Sequence, residues 1–382
     1  MKKNRLMSPG PTPVPENVLL RMAETLVHHR TPAFRSVLGR VHAKLRELFS
    51  TSEPVLVLAS SGTGAMEASV VNLLSRGDRV LVVNGGKFGG RFSDISAGYG
   101  IDVHEYKVEW GHPADPGEIR RILGENEDIK AVFTTLCETS TGVANDIRAI
   151  GEAVKPSGAA LVVDAISGLS ADELCTDEWG VDVVVCGSQK GLMLPPGLGF
   201  VSLSPKARDM VKRSDLPKYY FDLGKALNAY ERDDTPWTPA ISLVAGLDSV
   251  LDNMLSEGME AVLRRHALLA SSARAGIRSM GLELFSRRPS NALTAVKVPP
   301  GIDGERLVRE LREEEGITVA GGQAHLKGKI FRLGHLGYTD EYDIVSALSA
   351  VERVLNRIGY DAGYGKGAAG ALEVLGQTPG GY

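Results

Sequence analysis

Asp164 and Lys190 are the two residues whose types and placement most plainly suggest chemistry. Asp164 closes an apolar run at 161–163. Lys190 follows Gly187-Ser188-Gln189, just past a second apolar run at 181–185. Both runs have the length and β-branching of buried parallel strands. In an open parallel sheet, ligands bind at the carboxyl ends of the strands. One strand therefore delivers a carboxylate to that rim, and a neighbour delivers an amine. The pair suits pyridoxal phosphate: a lysine forms the Schiff base, and a carboxylate keeps the pyridine nitrogen protonated so that the ring accepts electrons. Taken singly, each residue has an ordinary reading, Asp164 as a helix cap and Lys190 as a solvated loop lysine. The joint pattern is harder to dismiss, because Pro195, Pro196, Gly197 and Gly199 bend and tighten the backbone beyond the lysine.

An anion site completes the set. A short strand at 55–58 runs into Ser60-Ser61-Gly62-Thr63-Gly64, and good helix formers follow at 65–74. Strand, glycine turn and helix N-terminus together bind phosphate through free N–H groups and the positive end of the helix dipole. The spacing matches neither the dinucleotide fingerprint nor the nucleotide-triphosphate loop. A further strand at 79–83 leads into Asn84-Gly85-Gly86-Lys87-Phe88-Gly89-Gly90-Arg91. Phe88 there either lies on a cofactor ring or packs under its own loop. The stretch Cys137-Glu138-Thr139-Ser140-Thr141-Gly142 is a polar strand exit, its hydroxyls serving a ligand or capping a turn. Arg332 lies late in a strand and needs a partner if buried, either a structural carboxylate or that of a substrate.

The elements that must position these groups alternate between strand and helix, which predicts an α/β doubly wound sheet. The 382 residues fit one large α/β domain with a smaller partner. Residues 4–15, with Pro9-Gly10-Pro11-Thr12-Pro13, form an extended arm, either a loose terminus or a strap across a cleft. Helices are expected at 16–26, 34–49, 116–123 and 146–154, and 241–280 reads as mostly helix. The stretch 214–240 reads as irregular, and a loop of that length is usually functional or at an interface. The last third predicts a small α+β unit, with strands at 282–285, 293–298 and 330–333. Its final helix gathers Ile344, Leu348, Val351 and Leu355 on one face. The Gly/Ala-rich stretch 361–382 reads as a flexible tail by default, with Leu372, Val374 and Leu375 available for docking.

Composition narrows the function classes. A net charge of -4 argues against a general nucleic-acid binder. No run of about 18 apolar residues occurs, so no membrane span is expected, and the N-terminus does not read as a secretory signal. The 3 cysteines, Cys137, Cys175 and Cys186, make no metal or cluster spacing and fit a reducing cytoplasm. His28-His29 is a weak metal candidate, since adjacent side chains diverge.

With SGTGAMEA, DAISGL, GSQKGLMLPPG and FRLGHLG in order, residues 9–358 resemble the class V, fold-type I pyridoxal-phosphate aminotransferases. The alanine/serine–glyoxylate (serine–pyruvate) branch is the nearest. The resemblance implies a mostly parallel central sheet flanked by helices and a smaller C-terminal α+β domain. It divides the chain into an arm (1–20), a large cofactor domain (21–255), a small domain (256–360) and a tail (361–382). It implies Lys190 as the Schiff-base lysine and proton shuttle, and Asp164 on the pyridine nitrogen. Gly62, Thr63, Gly64 and Gln189 would hold the phosphate. Thr139 would lie by the ring hydroxyl, Ile166 on one ring face, and Phe88 where relatives stack a larger aromatic. Arg332 would take the substrate carboxylate, and the arm around Gly10 would border it. It further implies a homodimer with shared sites, in which Thr235 or Thr238 of the neighbour reaches the phosphate. The substrates would be a small amino acid and a 2-oxo acid. A cysteine-desulfurase lyase is disfavoured because no cysteine follows Cys186. A redox-complex subunit is disfavoured by the missing ligand spacings.

Overall fold

The computed structural model describes residues 3–377. Seven strands build the main sheet: β1 (Val55–Ala59), β2 (Arg79–Asn84), β3 (Asp102–Lys107), β4 (Ile129–Thr135), β5 (Ala160–Asp164), β6 (Val183–Gly187) and β7 (Leu198–Leu203). Their spatial order is β1-β7-β6-β5-β4-β2-β3. The pairs from β6 across to β3 are parallel, and β7 alone runs antiparallel to both its neighbours. The alternation along each strand explains why the sheet is covered on both sides. Leu161, Val163, Val184 and Cys186 join one apolar layer, which contains Phe34, Leu38 and Val41 of the Pro32–Leu48 helix. Val162, Val183 and Val185 join the opposite layer, with Met66 and Val70 of the Gly62–Leu73 helix. The edge strand β3 is more polar and partly exposed, which blunts the open edge.

The smaller C-terminal domain has a three-stranded antiparallel sheet: β8 (Leu293–Lys297), β9 (Ala320–Gly321) and β10 (Ile330–Gly334), in the order β8-β10-β9. Its core joins Phe331 and Leu333 to Leu269 and Ile277, and to Ile344, Leu348 and Val351 of the Glu341–Arg357 helix. The arm is tied down at both ends. Arg5–Leu6 pairs in parallel with Ile317–Thr318, the N–H of Gly334 donates to Met7 O, and the N–H of Thr12 donates to Gln189 O. It is a strap from the small domain to the lysine loop. Among the described residues no helix is long and apolar enough to cross a membrane.

Several elements differ from the sequence expectation. The strand expected at 181–185 runs from Val183 to Gly187. The helix expected at 65–74 starts at Gly62, which puts the glycine turn inside its first turn. The glycine-rich stretch after β2 turns at Lys87 into a helix that ends at Gly98. Its glycines hid it, and its N-terminus is satisfied by a distant strand. The irregular stretch 214–240 contains the helix Leu223–Tyr230, capped by Asp222. A strand at 282–285 does not form; a single bridge joins Leu284 to Val296. The long helix expected at 241–280 breaks at Gly258 (φ 87°) into Ile241–Glu257 and Met259–Ser279. Within the Gly/Ala-rich stretch, Lys366–Leu375 is a helix. It docks through Gly367, Gly370 and Ala371, which allow close backbone approach, while Leu372 stays 54% exposed.

Candidate active site

Three chain segments converge where the sequence placed its chemistry. β5 ends on Asp164, β6 leads through Ser188 and Gln189 to Lys190, and the Gly62–Leu73 helix points its N-terminus at the same rim. A cavity of about 240 Å³ lies between them. Gly62, Thr63, Asp164, Ile166, Gln189 and Lys190 line it. Phe88 and Thr139 also line it, as do Gly10 and Pro11 of the arm.

The electrostatics of the pair are unusual. Asp164 is 4% exposed, and its Oδ1 accepts the N–H of Ile166 at 2.8 Å. Burial pushes its carboxyl up to about 7, since a lone backbone donor only partly offsets desolvation. Burial likewise pushes Lys190 down to about 8, with the charge of Arg332 acting in the same direction. Its Nζ donates to Pro9 O at 2.5 Å. The site therefore holds an acid and an amine that both titrate near neutrality, as expected of functional groups.

The anion cradle is open to a ligand. Ser61 caps the helix with backbone alone, and the first N–H to bond back is that of Ala65, to Ser61 O at 3.2 Å. The N–H groups of Gly62, Thr63 and Gly64 are thus left at the helix N-terminus for an anion. Oε1 of Gln189 is buried without a partner beside them. A Cβ at position 62 would stand 2.6 Å from Ile166 Cδ1, so any other residue there would push that side chain aside. These features fit a flat aromatic phosphate ester: backbone N–H groups for the phosphate, a buried carboxylate for a ring N–H, and an amine for an aldehyde. Pyridoxal phosphate has that set of groups.

Arg332 stands one layer back. It is 5% exposed, and all three of its hydrogen bonds end on carbonyls: Nε and Nη2 on Gly321 O, Nη1 on Thr139 O at 2.8 Å. Burial pushes its guanidinium down to about 10. A buried fork satisfied only by carbonyls is suited to a carboxylate. Thr139 itself donates from Oγ1 to Ser167 Oγ at 2.6 Å.

Gly64 turns the side where a Cβ would stand away from the cavity, 2.8 Å from Ser60 Cβ, while its N–H stays in the helix's first turn. Two expected residues lie elsewhere within this protomer. Thr235 and Thr238 line a separate cavity with Tyr220 and Trp237, and Thr235 Oγ1 donates to Trp237 O. Three contributors escaped the sequence reading. Ser167 and Arg91 line the cavity, and Arg91 donates to Thr63 Oγ1 at 3.0 Å with its guanidinium 4.8 Å from the Phe88 ring centre. Glu138 sits 1% exposed behind Phe88. A carboxylate between Cys137 and Thr139, in the polar exit of β4, was the available signal. Cys137 and Cys186 are buried free thiols, and burial pushes both up, Cys186 to about 12.

Comparison with known proteins agrees with this geometry. The family described as aminotransferase class-V matches residues 5–335. A Synechococcus protein called soluble hydrogenase, small subunit, is 44% identical over 98% of both chains. The L-aspartate–glyoxylate aminotransferase of Paracoccus denitrificans is 35% identical, covering 98% of this chain and 97% of that one. Among solved structures, ureidoglycine–glyoxylate aminotransferase from Bacillus subtilis superposes with a TM-score of 0.94 at 32% identity, over 98% of this chain and 99% of that one.

Proposed function

The chain belongs to the class-V aminotransferases, and from that premise we propose that it moves an amino group from a small amino acid, alanine or serine, to glyoxylate or pyruvate by a ping-pong reaction on pyridoxal phosphate. The observation that carries this reading is the meeting of Lys190, Asp164 and the open N-terminus of the Gly62–Leu73 helix around one cavity. When bound, the cofactor supplies an aldehyde carbon for the amine and a ring that takes up the electron pair released at the substrate's Cα.

The chain's own groups then divide the work. The N–H groups of Gly62, Thr63 and Gly64, with Gln189, hold the phosphate. Asp164 would keep the proton on the ring nitrogen, and Ile166 and Phe88, which line the cavity, would pack against the ring. Lys190 would hold the cofactor through its aldehyde carbon and, once an incoming amine has taken that place, would carry the proton that leaves the substrate's Cα. A lysine lowered to about 8 is partly neutral at neutral pH and can accept that proton. Arg332 would orient the substrate carboxylate, and Thr139 would serve the ring hydroxyl from the cavity wall.

The strap borders the lysine: Gly10 lies so close to Lys190 that a Cβ would stand 2.5 Å from its Nζ. Both aminotransferases compared above carry glyoxylate in their names, which supports that acceptor. Thr235 or Thr238, remote from the cavity in their own protomer, would serve the phosphate of a second subunit in a homodimer. Three unpaired cysteines fit a cytoplasmic setting.

The name of the Synechococcus relative points to a redox assembly instead. The described residues bring no three His, Cys, Asp or Glu side chains together as a metal set, so nothing local favours that reading. Absorbance decides. The holoenzyme should show a band at about 400–430 nm that is absent in Lys190→Ala. Alanine, serine and aspartate, added singly, should bleach it at different rates, with alanine or serine fastest.

A further inference from the structure

The Lys87–Gly98 helix begins without a cap of its own. Gly86 precedes it and offers no side chain, yet the first-turn N–H groups are all met from one distant hairpin, in which Cys137–Glu138 pairs antiparallel with Val143–Ala144. Ser140 Oγ accepts the N–H of Lys87 at 3.0 Å. Glu138 accepts the N–H of Phe88 through both oxygens, at 3.1 and 3.2 Å, and that of Gly89 at 2.8 Å. Ser140 also gives Glu138 its backbone N–H and its hydroxyl. A buried carboxylate is thus held by N–H and O–H donors at the positive end of a helix, where its charge is best tolerated. Gly86 is glycine for this reason: a Cβ there would stand 2.5 Å from Glu138 Cδ.

Phe88 is a wall of the cavity, and Arg91, one turn on, joins the Phe88 ring to Thr63 in the anion cradle. Whatever fixes the first turn of this helix therefore fixes both the ring wall and one side of the phosphate site. On its other side the same hairpin offers Thr139 O to Arg332.

We propose that Glu138, as a buried anion, is a positioning residue of the active site that sets Phe88 against the cofactor ring and, through Arg91, steadies Thr63. The inference rests on the pyridoxal-phosphate reading above. Glu138 does not line the cavity; it acts through the backbone of Phe88 and Gly89. A glutamine in its place keeps the volume but turns an amide donor toward N–H groups that need acceptors.

The test uses the full-length holoenzyme and the variants Glu138→Gln, Phe88→Ala, their double, and Ser140→Ala. The wild type is examined first: if it lacks the Lys190-dependent band, the cofactor reading itself fails, whatever the variants do. With that band present, Glu138→Gln should keep it but change its induced circular dichroism, which reports ring orientation. It should also weaken pyridoxal phosphate binding roughly tenfold, the usual loss for a hydrogen bond to a charged group. The double variant should bind no more weakly than Phe88→Ala, because Glu138 acts through that residue. Ser140→Ala should move the same readouts in the same direction by about threefold, and it carries the test if Glu138→Gln does not fold. Unchanged dichroism with affinity within about twofold of wild type, or a double variant whose losses multiply, would overturn the proposal.

Discussion

The Nζ of Lys190 donates a hydrogen bond to the carbonyl oxygen of Pro9, 181 residues away in the chain, at 2.5 Å. The contact exists because the arm is anchored on both sides of it, at Met7 by Gly334 and at Thr12 by Gln189. The strap therefore sets how far the lysine can swing. Gly10→Ala should reduce the rate of the amino-acid half-reaction by about a hundredfold, since the methyl would press on the lysine and the backbone sits at φ +134°. Single-turnover loss of the cofactor band measures this. An unchanged rate would mean that the arm is only a tether.

Arg332 should matter to substrate binding more than to the fold. Arg332→Gln should lower kcat/KM for the amino acid by roughly tenfold to a hundredfold, as expected for losing a charged bidentate partner. Arg332→Lys should recover only part of it, because an ammonium cannot copy the fork that now spans Gly321 O and Thr139 O. Steady-state kinetics with alanine and serine separates KM from kcat.

The lysine's ionisation predicts a pH dependence of cofactor uptake. Neutral amine is the reactive form, and Lys190 is lowered to about 8. Capture of pyridoxal phosphate by the apoprotein should therefore speed up as pH rises and level off above about 8. Stopped-flow growth of the band at about 400–430 nm follows it. A rate independent of pH between about 6 and 9 would contradict a lysine so placed.

Much of this site could be read from local sequence. Asp164 and Lys190 each end a run of buried β residues, and the strand-end rule puts both on one rim without tertiary information. The glycine turn at Gly62 is equally local. What escaped was set by contacts between distant segments. The helix starting at Lys87 looked like a loop because its cap, Glu138, lies about 50 residues further on. The Lys366–Leu375 helix looked like a tail because its docking face is glycine and alanine. Its first turn is met by buried Glu352, which accepts the N–H groups of Gly365 and Gly367. A second subunit, implied for Thr235 and Thr238, cannot be assembled from one chain's periodicity.

Two buried histidines predict how stability falls in acid. His266 accepts the N–H of Gly337 at Nε2, and burial lowers it from 6.5 to about 3. His335 faces Thr294 and Asn291 O, and burial lowers it as well. The unfolded chain protonates these rings near 6.5 and the folded chain does not. Their contribution is therefore full above that pH and lost progressively as pH falls toward 3, by up to about 1.4 kcal/mol per unit for each ring. Urea midpoints at pH 7.5 and pH 5 should drop accordingly, and His266→Gln should flatten the drop. A midpoint that does not move would place these rings in solvent.

The central claim is that Lys190 carries the cofactor while Asp164 faces its ring nitrogen, and chemical trapping tests it most directly. Borohydride reduction of the holoenzyme fixes the lysine–cofactor bond, and peptide mapping locates the added mass. The account predicts that mass on the peptide containing Lys190, with a Asp164→Asn variant still labelled there but unable to complete the amino-acid half-reaction. Label on any other lysine, or full turnover without the Asp164 carboxylate, would contradict it.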